Sequence, residues 1–409
     1  MEQDTKENLI SPAAETVLTF LDSLGRRSES ELYLRLFRQL PKQSFAVIAA
    51  EAAVLQRGLD SFVEQLRFLS ELKLFTPVVL GLLDPESAAR NLDRLLKRGA
   101  QLGLEPRVHQ FGEPGLIGHL EAELTAERVP IVTFPAAPSR SPPERFAELG
   151  ALAAGLETRK LVILRRRGAL APLREQPVEL GPGHVLRTTG DGISIINLRS
   201  DADLLLKRRL LRKPDAALLE RVAELLRGLP KAPPLVSVTS PLNLLRELFT
   251  VKGAGTLIKP GSPIERRGDY GTVQLDRLQA LLEASFGRPV LPSFFERPPA
   301  AIFIERNYRG AAIVEPSPIA PFLSKFAVDP VAQGEGIGQD LWQELTREYN
   351  HLFWRTRAQN PISSWYAQVC DGMLRLPHWH VFWRGVSSGD IPAVVQLASS
   401  RPTDFATVG

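Results

Sequence analysis

From residue 44 onward, short apolar runs alternate with longer stretches whose apolar residues recur every three or four positions. Ser44–Ile48, Pro77–Leu80, Pro130–Phe134 and Lys160–Leu164 read as buried strands. Leu55–Leu74, Ser87–Leu102 and Leu116–Leu124 read as amphipathic helices between them. This alternation predicts an α/β unit with a mostly parallel sheet covered by helices on both faces. Upstream, two apolar stripes (Ala14, Val17, Leu18, Leu21 and Leu32, Leu36, Phe37, Leu40) predict helices, the second opened by a Ser28/Glu31 capping box. Further along, Ile193–Leu198 and Leu235–Thr239 are short strands. Asp203–Leu229 is a long basic helical stretch whose Lys207-Arg208-Arg209 run reads as a solvated face. A helix through Leu248 and a tight loop Lys252–Thr256 close this part, and the Gly-, Pro- and charge-rich Pro260–Gly271 reads as a linker.

After Val273 the pattern changes. A helix over Leu275–Ser285 precedes a hairpin, Ala301–Ile304 and Ala311–Val314, joined by Asn307–Gly310. The strand Phe322–Val328, a glycine turn Gln333–Gly338 and an amphipathic helix from Gln339 to Leu345 follow; Leu352–Arg357 and Trp379–Trp383 are further strands. The expected organisation is helices over 1–40, one domain over 41–265 and another over 270–409.

The strand–glycine turn–helix carries the chemistry. Gly334, Gly336 and Gly338 remove side chains where a ligand must approach the backbone, and the following helix aims its unpaired N–H groups into the turn. That geometry seats an anion such as a diphosphate, although a plain αβ connection would read the same way. No Gly-Lys-Ser/Thr follows, which excludes a Walker loop, and the spacing is not that of a dinucleotide fingerprint.

Composition narrows the field modestly. The 409 residues carry a net charge of +4, with 44% hydrophobic and 23% charged residues, a globular profile suited to anionic small ligands. No basic stripe with interleaved aromatics speaks for nucleic acid, and no apolar run of membrane-spanning length occurs. The amino terminus is polar and acidic rather than a secretory signal, and the single cysteine, Cys370, fits a reducing cytoplasm. His378-Trp379-His380 reads as strand surface rather than a metal site.

The chain resembles the N-acetylglutamate synthase family of the vertebrate-like and bifunctional synthase/kinase type, in which an amino-acid-kinase domain is fused to a GNAT acetyltransferase domain. The residues carrying the resemblance are Glu247–Thr256, Ala284–Gly287, Leu323–Phe326, the Gln333/Gly336/Gly338 loop and the run Leu352–Ile362 continuing to Trp365-Tyr366. The resemblance implies an α/β fold: an amino-acid-kinase-like three-layer αβα domain followed by a GNAT domain. It implies transfer of acetyl from acetyl-CoA to L-glutamate. Arg288 (where the family often has Lys), Leu323, Lys325, Arg357 and Asn360 would hold the acceptor. Tyr366 would be the catalytic acid, and Phe326, Ala327, Val328, Gln333, Gly334, Gly336 and Gly338 would bind the cofactor. Glutamate's two carboxylates suit fixed cations, Arg above all, whereas an Asn before Pro is also a common turn former.

The family's kinase lysine–glycine turn falls on Ala49–Val54. Ala49 stands at the lysine position, and Glu51 and Ala52 stand at glycine positions; a second glycine turn is replaced by Leu80–Asp84. No ATP use and no metal are therefore expected, with the domain kept as a scaffold for a dimer or tetramer. The resemblance also places an L-arginine site at Tyr33, Glu247, Lys252, Gly253, Gly255 and Thr256. Two other readings stay open: acetylation of another carboxylated amine, and a non-catalytic regulatory subunit of an acetylglutamate kinase or synthase.

Overall fold

The computed structural model describes residues 45–135, 140–173, 178–181, 184–186, 188–190, 192–229, 234–249, 253–332, 336–360 and 362–406. The helices expected over 12–40, with Tyr33, and the positions of Lys252, Gln333 and Gly334 lie outside these residues. The chain divides into two compact units, up to Pro260 and from Gly261.

In the first unit, β1 (Val47–Ala50), β2 (Val78–Leu80), β3 (Pro106–Gln110), β4 (Val129–Thr133) and β5 (Lys160–Leu164) are followed by two small ribbons. These are β6 (Val178–Gly181) with β7 (His184–Leu186), and β8 (Thr188–Thr189) with β9 (Gly192–Ile193). β10 (Ile195–Asn197), β11 (Leu235–Thr239) and β12 (Thr256–Lys259) complete an eight-stranded sheet in the order β10-β12-β11-β5-β1-β2-β4-β3. All neighbours are parallel except β11 and β12.

Alternate residues of each central strand serve opposite cores. Ile48, Val78 and Val162 pack with helices α1 (Ala52–Arg57), α2 (Leu59–Glu71) and α3 (Pro85–Gln101). Val47, Val79 and Leu161 face α4 (Leu116–Thr125) and α5 (Pro142–Gly155). The result is three layers, αβα, because a strand buried on both faces needs a helix on each. Asp84 caps α3 by accepting the Ser87 N–H at 2.9 Å, and Pro85 opens the helix.

Four expectations need correction here. The Leu55–Leu74 helix is two, α1 and α2, divided at Gly58. The basic helix over Asp203–Leu229 breaks into α6 (Asp203–Lys207) and α7 (Lys213–Gly228); Arg209, at φ 54°, turns the chain between them. The loop Lys252–Thr256 ends early, since Thr256 already belongs to β12. The linker Pro260–Gly271 contains a strand, β13 (Ile264–Arg267), paired with β14 (Ala301–Glu305). A short helix, α8 (Leu244–Phe249), precedes β12.

The second unit is a seven-stranded sheet in the order β13-β14-β15-β16-β17-β19-β18. Its remaining strands are β15 (Gly310–Glu315), β16 (Phe322–Val328), β17 (Leu352–Arg357), β18 (Gly372–Arg375) and β19 (Trp379–Arg384). One face carries α10 (Ile337–Glu348) and α11 (Ser363–Val369); the other carries α9 (Leu275–Phe286) and α12 (Ile391–Ser400). Neighbours are antiparallel except β16 and β17, which run parallel and pair only at Phe322/Phe353 and Leu323/Trp354 before parting. No helix among the described residues is long and apolar enough to cross a membrane.

Candidate active site

β16 places the site because it carries side chains to both faces and parts from its neighbour. Its register against β15 shifts between Ile313 and Val314, so that Lys325 pairs with Ile313 while Leu323 pairs with Val314. Ser324 is the extra residue of a bulge. In an unbroken strand Phe322 and Lys325, three apart, would point to opposite faces. The bulge brings both to one cavity, whereas Leu323 turns into the opposite core with Phe326. Leu323 therefore stands apart from the other acceptor candidates.

That cavity, about 240 Å³, brings together Arg288, Lys325, Arg357 and Asn360. Arg288 follows the left-handed cap Gly287 (φ 67°) that ends α9. Arg357 is the last residue of β17; its guanidinium lies 4.1 Å from the Trp379 ring centroid. Asn360 turns the chain out of β17: its N–H donates to the Arg357 carbonyl at 3.0 Å, and its Oδ1 accepts the Ile362 N–H at 3.1 Å. Arg288 and Arg357 are solvent-exposed, and neither has a carboxylate partner among the described residues.

The sequence reading missed the rest of the pocket. Arg297, Glu315, Arg355, Arg401 and Asp404 line the same cavity. Lys325, 4% exposed, donates to the Asp404 carboxylate, and Asp404 also accepts from Arg297. Arg401 donates to Glu315. Arg355 is engaged by backbone carbonyls: it donates to that of Ala398 at 2.6 Å and to that of Pro402 at 2.9 Å. Burial pushes the Lys325 ammonium below its ordinary pKa, against the pull of Asp404 and Glu315. Burial alone would raise the Asp404 carboxyl, but Lys325 and Arg297 hold it below the usual range.

The other face of β16 is aromatic. Tyr366, on α11, packs against Phe326, Trp354 and Phe382 with ring centroids 6.4, 5.5 and 5.4 Å away. Trp342, Trp354 and Trp365 complete the cluster; Trp342 lies 5.3 Å from each of the other two. Burial drives the Tyr366 pKa up, so the phenol keeps its proton at physiological pH. Tyr366 does not line the cation-rich cavity; the Asn360 turn links the two sides in sequence.

On its β15 side the backbone of Phe326, Ala327 and Val328 is paired in register with Ala312, Ala311 and Gly310. Toward β17 this stretch has no ladder partner among the described residues, which leaves an edge able to bond an extended ligand. Gly336 (φ 76°) caps the start of α10 and Gly338 lies in its first turn, so α10 opens directly beyond β16.

In the first unit, Glu247 is buried and held by Lys160 at 3.1 Å and by the Ala254 N–H at 2.8 Å. Gly253 (φ 62°) sits so close that a Cβ there would lie 2.7 Å from Glu247 Oε2. Gly255 is as crowded, with a Cβ reaching 2.4 Å from the Val238 carbonyl, and the Thr256 hydroxyl donates to the Ile193 carbonyl. Glu51 is the single residue between β1 and α1; Arg165 bonds its carboxylate at 3.0 Å and that of Asp215 at 2.7 Å. The one group of three metal-type donors among the described residues is His109, Glu113 and His119, where Glu113 also closes a turn on the Gln110 N–H at 2.8 Å.

Residues 265–400 match the family model of the NAT domain, the N-acetyltransferase of N-acetylglutamate synthase. An acetylglutamate kinase of Xylella fastidiosa is 32% identical over 401 residues, 89% of this chain and 95% of its own length. The mitochondrial N-acetylglutamate synthase of Danio rerio is 34% identical over 223 residues, 53% of this chain and 42% of its own. The human one is 29% identical over 398 residues, 88% of this chain and 73% of its own. A solved N-acetylglutamate synthase from Neisseria gonorrhoeae, complexed with coenzyme A and N-acetyl-glutamate, aligns with a TM-score of 0.48 at 15% identity, covering 88% of this chain and 98% of that one. An acyltransferase unit that follows a three-layer αβα unit, at this level of identity over nearly the full length, places the chain in the N-acetylglutamate synthase family, whose members join an acetylglutamate-kinase-like region to a carboxy-terminal NAT domain.

Proposed function

We propose that the second unit transfers the acetyl group of acetyl-CoA to the α-amine of L-glutamate. The observation that carries the reading is the cavity in which Arg288, Lys325, Arg357 and Asn360 converge from three separate stretches of chain. Its volume is below the ~300–1,000 Å³ of drug-sized pockets, which suits a small acceptor. Two exposed guanidinium groups match two carboxylates.

The unpaired edge of β16 and the start of α10 suit pantetheine and diphosphate respectively. In the reaction, the neutral amine attacks the thioester carbonyl and a C–N bond forms as the C–S bond breaks. The ammonium proton goes to solvent, and Tyr366 protonates the departing thiolate before recovering its own proton from water. A phenol whose pKa burial has raised is present in the proton-donating form that this role needs.

Acetyl-CoA consumption with a panel of amino acids, on wild type and Tyr366→Phe, tests the reading. Glutamate-dependent CoA release that drops sharply in the variant is expected. Absence of CoA release with any amine would overturn the proposal, and an unchanged variant would remove Tyr366 from it.

The first unit carries no kinase activity in this reading, although the Xylella relatives bear that name. What supports this is the strand-to-helix step itself. α1 begins one residue after β1, without a glycine turn, and Glu51 places a carboxylate on Arg165 where a phosphate would need to bond. The unit then serves as scaffold and L-arginine sensor, with the Gly253–Thr256 loop closed on Glu247. A guanidinium would have to take over from Lys160 there. ATP-dependent phosphorylation of N-acetylglutamate, or a melting curve indifferent to L-arginine, would refute the respective half.

A further inference from the structure

We propose that Asp404 is the positioning residue of the acceptor pocket: it fixes the buried Lys325 ammonium and takes up Arg297, so that Arg288 and Arg357 remain as the cations that meet an acceptor's two carboxylates. The inference rests on the acetyl-transfer reading for its substrate but not for its geometry.

The segment after α12 is pinned into the pocket wall rather than trailing across it. The Leu291 N–H donates to the Asp404 carbonyl at 2.9 Å, and the Ala406 N–H donates to the Pro289 carbonyl at 3.0 Å. These bonds make an antiparallel bridge between Val290 and Phe405. Arg355 clamps the approach by bonding the Ala398 and Pro402 carbonyls. Asp404 is thereby delivered to Lys325 and Arg297 with its backbone already ordered.

The pocket's charges sort accordingly. Its lining holds six cationic side chains and two carboxylates, Glu315 and Asp404. Asp404 takes Lys325 and Arg297, Glu315 takes Arg401, and Arg355 is spent on carbonyls. What is left over is Arg288 and Arg357, one guanidinium for each carboxylate of a dicarboxylic acceptor.

Lys325 needs this partner. Its ammonium is almost wholly buried, bonded to the Ser324 carbonyl and hydroxyl at 3.3 and 3.2 Å and lying 4.3 Å from the Phe294 ring centroid. Ring and hydroxyl do not replace a carboxylate, and a buried lysine without one sheds its proton. The charged and titratable groups around it are Asp404, Glu315 on β15 and Arg297. Tyr270, whose phenol faces Glu315, Arg297 and Asp404, and the pocket arginines 288, 355, 357 and 401 complete the set. Arg297 disfavours the ammonium, and the carboxylates that favour it are Asp404 and Glu315.

The test compares wild type, Asp404→Asn and Asp404→Glu. Near pH 8.5 the Asn variant is expected to raise KM for glutamate on the order of tenfold or more, with kcat and KM for acetyl-CoA little changed. The KM ratio to wild type should shrink as pH falls toward 6.5 and Lys325 regains its proton, and the Glu variant should recover most of the loss. A fall in KM would mean that Asp404 competes with substrate and would overturn the proposal. So would a pH-independent loss of kcat and KM together with a lowered melting temperature, the mark of a merely structural role.

NMR titration of the Lys325 Cε resonance needs no substrate. A Lys325 that titrates at lower pH in Asp404→Asn than in wild type is expected; identical titrations overturn the role. Wild-type protein inactive toward glutamate would instead reject the acetyl-transfer reading, so the two failures separate.

Discussion

Gly338→Ala separates what the fold needs from what the ligand needs. Gly338 is the second residue of α10, and its φ is not in the left-handed region, so alanine fits its backbone. A Cβ built there would lie 3.5 Å from Val328 Cγ2 and 3.6 Å from Phe326 Cε1, which is ordinary van der Waals contact. Packing therefore accepts the methyl group. Helix propensity favours it by a few tenths to about 1 kcal/mol, a rise of roughly 1–4 °C in the melting temperature of a unit this size.

In the proposed reading the diphosphate meets the first N–H groups of α10, and a methyl added in that same first turn hinders its approach. Losing one hydrogen bond to a charged group costs about 1.5–3 kcal/mol, or roughly 10- to 150-fold in KM for acetyl-CoA. Calorimetry and initial rates over a range of acetyl-CoA concentrations measure both effects. An unchanged KM would show that α10 does not receive the diphosphate, and a lowered melting temperature would show that the packing argument is wrong.

Three more outcomes follow from the same contacts. Arg357→Ala should leave stability within about 0.5 kcal/mol, because the side chain is exposed, while raising KM for glutamate roughly 10- to 100-fold at near-constant kcat; initial rates at neutral pH decide. Arg165→Leu strands the buried carboxylate of Asp215 and the half-buried one of Glu51, and should cost about 3–5 kcal/mol in a urea melt. Burial already holds the Glu51 carboxyl above its ordinary 4.5, with Arg165 opposing. A raised folded pKa gives stability that is full below the unfolded value and lost as pH rises. The variant should therefore regain stability as pH is lowered from 7 toward 5, and a deficit that does not change with pH would count against the account. Gly372→Ala drives a Cβ to 2.6 Å from Trp383 Cζ2, and the rigid indole cannot yield cheaply; a loss of about 1–3 kcal/mol is expected by thermal melt.

The central strands β1, β2 and β5 of the first sheet were legible because each is a nearly continuous apolar run, the signature of burial on two faces. Three edge strands were not, although the edge strand β10 was. β3, Pro-Arg-Val-His-Gln, and β18, Gly-Met-Leu-Arg, are half exposed and carry no run to read. β13, Ile-Glu-Arg-Arg, looked like a linker because Pro and Gly flank it and charge fills it, which an edge strand tolerates. Arg288, Lys325, Arg357 and Asn360 were legible only through family resemblance. The Ser324 bulge that makes Lys325 and Phe322 share a cavity has no sequence signal of its own. Asp404 was invisible for a plainer reason: it meets Arg297 across 107 residues of chain, and local periodicity does not report a contact at that range.

The tryptophan cluster on the Tyr366 face has a spectroscopic consequence. All five tryptophans of the chain belong to the second unit, and three of them meet edge to face within energy-transfer distance, beside the edge proposed for the thioester. Intrinsic emission excited near 295 nm (about that wavelength, to spare tyrosine) therefore watches one unit while far-ultraviolet circular dichroism watches both. Melting followed by the two signals side by side will tell whether the halves of the chain unfold as one cooperative body or in turn.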